Sequence, residues 1–167
     1  KMCQSYNEQY KTNFVSVMPT NLYGPNDNFD LQTAHVLPAF IRRFHDAKIG
    51  NKKAVVLWGS GNAYREFLHV DDMADASVYL MQHYDSSDII NIGSGKDLRI
   101  RELAQLVKKT VGYTGKIVWD TSKPDGTPKK QLDVSSLLAL GWKPQISLEE
   151  GIKKEYEWFL HNFSEKK

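Results

Sequence analysis

An α/β fold is predicted for this 167-residue chain, because short apolar segments of strand type alternate with longer segments of helical periodicity. The segments 14–18, 54–58 and 88–92 are rich in β-branched or aromatic residues, and each is followed by proline or glycine. The segments 36–48 and 100–111 repeat apolar residues at a spacing of three and four. This alternation is typical of the end of a doubly wound sheet in the early part and of a small α/β lobe in the later part.

The opening of the chain is predicted to be a helix, a short strand and a long polar loop. Residues 1–10 read like the interior of a helix with no capping residue before it. The strand at 14–18 is expected to stop at Pro19, which has no N–H to donate to a sheet. The loop Thr20–Asn28 is dense in turn-forming residues and too long for a simple connection, so it is a candidate functional loop.

A second group of elements surrounds a glycine turn. The strand at 54–58 leads into the turn Gly59–Asn62, and Arg65–Val70 is then extended. Asp71 or Asp72 is predicted to cap the following helix, because a carboxylate accepts hydrogen bonds from the free N–H groups of a first turn. Four residues form the predicted apolar face of this helix: Met73, Ala76, Leu80 and Met81.

The last part of the chain is predicted to contain two short strands and three helices. The strands are at 88–92 and 116–119, and two of the helices are at 100–111 and 133–140. Ser147 and Glu150 form a capping box that opens the terminal helix. The predicted apolar face of that helix comprises Leu148, Ile152, Tyr156, Phe159 and Phe163.

Composition excludes several classes of protein. The 22 basic and 20 acidic residues give a net charge of +2, which makes no electrostatic case for binding nucleic acid or a membrane surface. The single cysteine, Cys3, permits no intrachain disulfide and is expected to be a small buried hydrophobe. The five histidines are not clustered at metal-ligand spacing, so no metal site is predicted. Neither a signal peptide nor a membrane-spanning run is visible, and a cytoplasmic location is expected.

Few residues stand out as chemical candidates when their spacing alone is considered. His35 follows the polar loop just before a helix, where an imidazole can serve as acid or base. A helix-capping or a surface histidine is the alternative. One arginine of the Arg42-Arg43 pair is placed to face a phosphate, unless both are solvated. Trp58 and Arg65 flank the glycine turn and suit a base and a diphosphate, with core packing and a surface charge as the alternatives.

The motifs taken together resemble those of the GDP-L-fucose synthase family. The resemblance runs over nearly the whole chain, and the motifs occur in the family's order. An Asp-Asn-Phe sequence followed by His-Val-Leu-Pro is the more specific signal, whereas Arg-Glu-Phe-Leu-His-Val-Asp-Asp is shared more widely among extended short-chain dehydrogenases. The matching segments are 19–25, 27–29, 35–39, 58–61, 65–72 and 123–128.

The resemblance implies a domain organisation. The chain is expected to be the C-terminal part of a Rossmann-like extended short-chain dehydrogenase fold plus a small α/β substrate-binding lobe. Residues 1–50 are then a remnant of the NADP-binding domain with its active-site loop. Residues 51–167 are mainly the substrate-binding lobe, with returning segments that pack on the first domain.

The resemblance also implies an activity and a set of site residues. The family epimerises GDP-4-keto-6-deoxy-D-mannose at C3 and C5 and reduces the C4 ketone with NADPH, giving GDP-L-fucose. His35 matches the acid that protonates the enolate carbon. The matched cofactor-binding positions are Pro19, Thr20, Asn21, Leu22 and His35, and the matched substrate-binding positions are Arg43, Trp58, Arg65 and Asp125. A homodimer is implied for the intact parent, with the opening helix in part of its interface.

Departures from the family pattern qualify this expectation. The chain contains no Gly-rich NADP fingerprint, and no tyrosine is followed by a lysine four positions later. The family's catalytic serine and its epimerisation cysteine are also unmatched, because Cys3 lies in the helix after the expected Tyr-x-x-x-Lys motif. These parts are expected upstream of Lys1, so the chain alone is predicted to be inactive. The alternatives are another nucleotide-sugar epimerase or reductase of the same fold, and a non-catalytic nucleotide-sugar-binding fragment or assembly module.

Overall fold

A computed structural model describes residues 1–163, and within that range the predicted α/β class is confirmed. The last four residues of the predicted second lobe, 164–167, lie outside the described residues. The helices are α1 (Met2–Tyr10), α2 (Val36–Ile49), α3 (Val70–His83), α4 (Ile100–Val111), α5 (Ser135–Ala139) and α6 (Leu148–Phe163). The strands are β1 (Ser16–Pro19), β2 (Asn21–Tyr23), β3 (Ala54–Trp58), β4 (Tyr64–His69), β5 (Ile89–Ile92), β6 (Asp97–Arg99), β7 (Lys116–Asp120) and β8 (Lys129–Lys130).

Parallel pairing dominates the strands. β1 pairs in parallel with β5, β2 with β4, and β3 with β7, whereas β6 runs antiparallel to β4. Thr20 separates β1 from β2, so the chain leaves its partner β5 and joins β4 at this residue. Residues 21–23 of the predicted loop are therefore a strand, because they find a partner in β4, and only the part after Tyr23 is a loop. This segment starts beside the carboxyl ends of β1 and β5. Open α/β sheets bind their ligands outside such strand ends.

Two apolar cores hold these elements together. The larger core includes Phe40 and Phe44 of α2 with Leu103 and Val107 of α4. The smaller core contains Leu80 of α3, Ile90 and Ile92 of β5, and Trp142. α2 thus packs into the core formed mostly by residues after 50, while β5 returns to pair with β1. The division between residues 1–50 and 51–167 stays a prediction.

The cap of α3 differs from the predicted one. The helix begins at Val70, so His69 is the capping residue, and its Nδ1 accepts a hydrogen bond from the N–H of Asp71 at 3.2 Å. Asp71 and Asp72 lie in the first turn instead. The buried Asp72 carboxylate accepts hydrogen bonds from two backbone N–H groups of the segment before α6, at 3.0 Å each.

Several other expectations are refined by the packing. Met81 is 77% exposed because it follows Leu80 directly and lies about 100° around the helix from the buried stripe. Pro19 is included in β1, and Cys3 is only half-buried. The capping box of α6 is confirmed, since Glu150 accepts from the Ser147 hydroxyl at 2.6 Å and its N–H donates back to that hydroxyl at 3.3 Å.

The helices described for residues 1–163 include none with the length and apolar character needed to cross a membrane. Within the same range, no group of three or more His, Cys, Asp or Glu side chains is arranged to hold a metal ion. Both statements concern only the part of the chain that the structure describes.

Candidate functional site

A single cleft of about 740 Å³ collects almost all of the predicted site residues. Its walls come from the loop after β1, the start of α2, the turn between β3 and β4, and the exposed loop before β8. The predicted residues that line it are Pro19, Thr20, Asn21, Leu22, His35, Trp58, Arg65 and Asp125. They are distant in sequence, so the fold rather than local spacing brings them together.

Arg43 is the predicted residue that the structure leaves out of this cleft. It lies half-buried on α2 and is absent from the lining residues. Within residues 1–163 it forms no hydrogen bond or ion pair, whereas its neighbour Arg42 pairs with Asp46 at 2.9 Å. A substrate contact for Arg43 stays a prediction.

The segment after β1, which is Thr20 and the start of β2, is fixed to both neighbouring strands. The N–H of Thr20 donates to the carbonyl of Ile92 at 3.0 Å. The hydroxyl of Thr20 and the side-chain amide of Asn21 donate to the carbonyl of Glu66 at 3.3 and 2.7 Å. These two side chains are therefore engaged in holding the loop, and the loop presents a wall of fixed shape to the cleft.

Glu66 is a residue that the sequence interpretation missed. Its side chain is fully buried, and its carboxylate accepts hydrogen bonds from the N–H groups of Gly95 and Leu132 at 2.7 and 2.9 Å. A Cβ at Gly93 would collide with the same carboxylate. The sequence did offer a signal, because Glu66 directly precedes the apolar residues Phe67 and Leu68 in a strand. A carboxylate buried in such a strand requires hydrogen-bond donors of its own, which marks it as a structural centre.

His35 lines the mouth of the cleft, and its imidazole is free to bind a ligand. It is the residue before α2, with φ −66° and ψ 166°, but its side chain makes no capping hydrogen bond. The residue is exposed, and the imidazole has no hydrogen-bond partner among residues 1–163. The capping alternative is therefore excluded, and both ring nitrogens are available to a ligand.

Trp58 ends β3 and projects away from the core. Along this strand Val55 and Leu57 are buried, so the alternation of side chains turns Trp58 outwards. Its side chain is 68% exposed, and the ammonium of Lys123 lies 5.8 Å from the ring centroid. The core-packing alternative is excluded, and the indole offers an accessible flat surface beside the cleft.

Arg65 is oriented by backbone carbonyls. One guanidinium nitrogen, Nη1, donates to the carbonyls of Tyr64 and Thr127, both at 2.7 Å. Nε and Nη2 make no hydrogen bond within residues 1–163. The guanidinium is thus held in one position while it keeps donors for an anionic ligand.

Asp125 is fixed to the turn between β3 and β4. Its Oδ1 accepts from the N–H of Ser60 at 2.5 Å, and its Oδ2 accepts from the Ser60 hydroxyl at 2.6 Å. These bonds hold the pKa of Asp125 below its ordinary value, and the bond from the Ser60 hydroxyl has the larger effect. Gly59 has φ +80°, and a Cβ there would collide with Asp125, so this close approach requires glycine.

A buried acid lies behind the cleft wall formed by Tyr23. Glu155 of α6 is fully buried, and neither carboxyl oxygen has a hydrogen-bond partner among the described residues. Burial, and then repulsion from Asp27, raise the pKa of Glu155 to about 9. The signal in the sequence was its position between Ile152 and Phe159 at helical spacing, on the predicted apolar face.

Comparison with known proteins connects this cleft with a family. Residues 1–93 match the model of the "NAD dependent epimerase/dehydratase family". The chain is 57% identical to the "Putative GDP-L-fucose synthase 2" of Arabidopsis thaliana, over 100% of this chain and 51% of the relative. It is 54% identical to the "GDP-L-fucose synthase" of Escherichia coli (strain K12), over 97% of this chain and 53% of the relative.

Structural comparison agrees with the sequence relatives. A crystal structure of "a gdp-l-fucose synthetase from Naegleria fowleri bound to NADP" superposes with a TM-score of 0.90 at 34% identity, over 98% of this chain and 53% of that one. The chain spans about half the length of the curated relatives it matches. The resemblance to GDP-L-fucose synthases and the Rossmann-like fold class are both confirmed. The chain belongs to the NAD dependent epimerase/dehydratase family.

Proposed function

We propose that this chain is the GDP-sugar-binding portion of an NADPH-dependent GDP-L-fucose synthase, which acts on GDP-4-keto-6-deoxy-D-mannose. The observation that carries the proposal is the convergence of Trp58, Arg65 and Asp125 with His35 in one cleft. High identity to GDP-L-fucose synthases over the whole chain supports the same assignment.

Three side chains are proposed to bind the guanosine diphosphate part of the ligand. The exposed indole of Trp58 stacks on the guanine or packs against the sugar. Arg65 places its free Nε and Nη2 donors against the diphosphate, since a guanidinium pairs with phosphate oxygens in a bidentate manner. Asp125 keeps acceptor sites beyond its two bonds to Ser60, and these accept from ribose hydroxyls or guanine N–H groups.

His35 supplies the acid for epimerisation in this proposal. The 4-keto group acidifies the C–H bonds at C3 and C5, so transfer of either proton to a base gives an enolate. The family has an epimerisation cysteine for which Cys3 is not the match, so the base of this step is not assigned to these 167 residues. His35 then delivers a proton to the opposite face of the enolate carbon, and one acid/base site serves both centres. The free imidazole at the mouth of the cleft supports this role.

The same cleft fits one end of NADPH. Pro19–Leu22 form a fixed wall at the carboxyl ends of β1 and β5, because Thr20 and Asn21 are hydrogen-bonded to the carbonyls of Ile92 and Glu66. NADPH bound there supplies the hydride for reduction at C4. The 167 residues contain no Tyr-x-x-x-Lys pair to donate the accompanying proton, so this chain alone forms no GDP-L-fucose.

The binding claim is tested by calorimetric titration of the chain with GDP, GDP-L-fucose and UDP-glucose. Saturable binding of both GDP ligands, with UDP-glucose at least ten-fold weaker, is expected, and Trp58→Ala should weaken GDP binding. The matched control is Trp158→Ala, which removes an indole of α6 that does not line the cleft. A preference for UDP-glucose would favour another nucleotide-sugar enzyme, and absence of binding would contradict the proposal for this chain.

The inactivity claim has its own assay. The chain is incubated with NADPH and the keto-sugar, and no GDP-L-fucose above the blank is expected. Formation of GDP-L-fucose would contradict the predicted inactivity, but it would not contradict the proposed binding of GDP-sugars.

The intact parent is proposed to be a homodimer that uses α1. Met2, Tyr6 and Tyr10 recur every four residues on this helix, and their side chains are 75%, 47% and 60% exposed. Such a stripe of exposed apolar groups suits a second helix. Light scattering of the intact parent with Tyr6→Glu, compared with the natural residue, should show loss of the dimer.

A further inference from the structure

We infer that Ser60 is a positioning residue of the GDP-sugar site, which holds the carboxylate of Asp125 at the mouth of the cleft. The inference rests on the proposed function, because Asp125 is the ligand group that Ser60 positions. Neither the family motifs nor the relatives' names assign a role to Ser60.

The bond pattern identifies Ser60 as the partner that fixes both carboxylate oxygens. Its N–H reaches Oδ1 at 2.5 Å, and its hydroxyl reaches Oδ2 at 2.6 Å. Two bonds from one residue define the rotation of the carboxylate as well as its position. Each carboxylate oxygen has a further lone pair, so this arrangement orients Asp125 without using up its capacity to accept from a ligand.

Asp125 needs such an anchor because its loop has no core of its own. Every residue from 121 to 131 is exposed. On the later side of this loop, the carbonyl of Thr127 accepts from Arg65 at 2.7 Å and the carbonyl of Pro128 accepts from the N–H of Tyr64 at 2.8 Å. On the earlier side, Lys123 contacts the Trp58 ring. Loss of the Ser60 hydroxyl would therefore leave the Asp125 carboxylate held only by backbone N–H groups of the glycine turn, those of Ser60 and Gly61.

Ser60 is itself rigidly placed. Its carbonyl accepts from Nη2 of Arg101 at 2.8 Å, and its hydroxyl oxygen accepts from the N–H of Asn62 at 3.2 Å. Because the hydroxyl oxygen is the acceptor for Asn62, the hydroxyl proton is free to be donated to Asp125. The next residue, Gly61, lies so close to the Trp119 ring that a Cβ there would collide with it. The anchor is thus fixed to the start of α4 and to β7.

A fixed carboxylate binds a ligand more tightly than a mobile one, because its conformational freedom has already been lost before binding. Ser60→Ala removes one charge-assisted hydrogen bond, and we expect GDP to bind roughly ten-fold more weakly. Ser60→Thr keeps the hydroxyl and should restore most of the affinity. In an Asp125→Ala background, Ser60→Ala should cause little further loss, since the group it positions is gone.

The matched control is Ser147→Ala. Ser147 also donates both its hydroxyl and its N–H to one carboxylate, at 2.6 and 3.1 Å from Oε2 of Glu150, but this pair lies outside the cleft. GDP affinity should be unchanged in this variant. Equal affinity of Ser60→Ala and the natural chain, or failure of Ser60→Thr to recover what Ser60→Ala loses, would overturn the inference.

A second measurement does not require a ligand. NMR titration of the Asp125 carboxyl carbon should give a pKa below the ordinary value in the natural chain and in Ser60→Thr, and a higher pKa in Ser60→Ala. The attraction of Arg101 and the bond from the Gly61 N–H, which also lower this pKa, are common to all three proteins. If the natural chain binds no GDP, the proposed function fails for this chain, and this titration decides the Ser60 contact alone. An unchanged titration in Ser60→Ala would overturn it.

Discussion

The side-chain amide of Asn21 donates a 2.7 Å hydrogen bond to the main-chain carbonyl of Glu66, and this bond joins two walls of the cleft. Asn21 is the first residue of β2, in the segment Pro19–Leu22 that is proposed to face the nicotinamide. Glu66 lies in β4 directly after Arg65, which is proposed to hold the diphosphate. A displacement of β4 would therefore alter both binding regions together.

Glu66→Gln should destabilise the fold. The carboxylate accepts from Gly95, Leu132 and Ser94, and an amide places a donor against at least one of these donors. A buried N–H left without an acceptor costs about 1–3 kcal/mol. Chemical denaturation should show that loss in the free energy of unfolding. Glu8→Gln, at an exposed position of α1, should change it little, and equal stability of both variants would contradict this role of Glu66.

Glu155→Gln should change how stability depends on pH. The pKa of Glu155 is about 9 in the fold, above the ordinary 4.5, so the folded state binds the proton more tightly. The stabilisation is complete below pH 4.5, is lost as the pH rises from 4.5 to about 9, and does not change further above it. The slope in that window is about 1.4 kcal/mol per pH unit.

The difference between the unfolding curves of the natural chain and Glu155→Gln isolates this proton, because the remaining titratable groups are common to both. The titratable groups that interact with Glu155 include Asp27 and Tyr23. The exposed Glu157→Gln in the same helix is the control and should keep the natural slope. A difference curve that is flat from pH 4.5 to 9 would refute the raised pKa of Glu155.

Arg65→Lys should weaken GDP binding although the positive charge is kept. Lysine presents an ammonium without the planar fork that donates to Tyr64 and Thr127 and still offers Nε and Nη2 to a ligand. A ten-fold or larger rise in Kd is expected, since hydrogen bonds to charged groups contribute about 1.5–3 kcal/mol. Arg42→Lys, outside the cleft, is the matched control. An unchanged Kd for Arg65→Lys would remove Arg65 from the proposed site.

Much of the fold was predictable because long helices carry periodic apolar residues. The helix predicted at 100–111 has the observed bounds, and Gly112 ends it with φ +73°. β2, β6 and β8 were missed because strands of two or three residues are defined by their partners rather than by their own sequence. The cap of α3 was missed because a buried histidine competes with two aspartates that are better intrinsic caps.

The candidate site was predicted less evenly. Motifs supplied the residues that point into the cleft, and their order in the chain matched a known family. The roles of Ser60 and Glu66 were not predicted, because each depends on a partner that is distant in sequence. Ser60 contacts Asp125, and Glu66 contacts Gly95. Glu155 was assigned to no role, since a lone carboxyl on an apolar face becomes informative only when its surroundings are known.

The most direct test of the central claim is a crystal structure of this chain with GDP-L-fucose. The guanosine diphosphate is expected in the cleft, with Trp58 against a flat group of the ligand, Arg65 against the diphosphate and Asp125 accepting from the nucleoside. Density for the nucleotide elsewhere, such as the groove lined by Lys52 and Lys116, would contradict the assignment of the cleft as the GDP-sugar site.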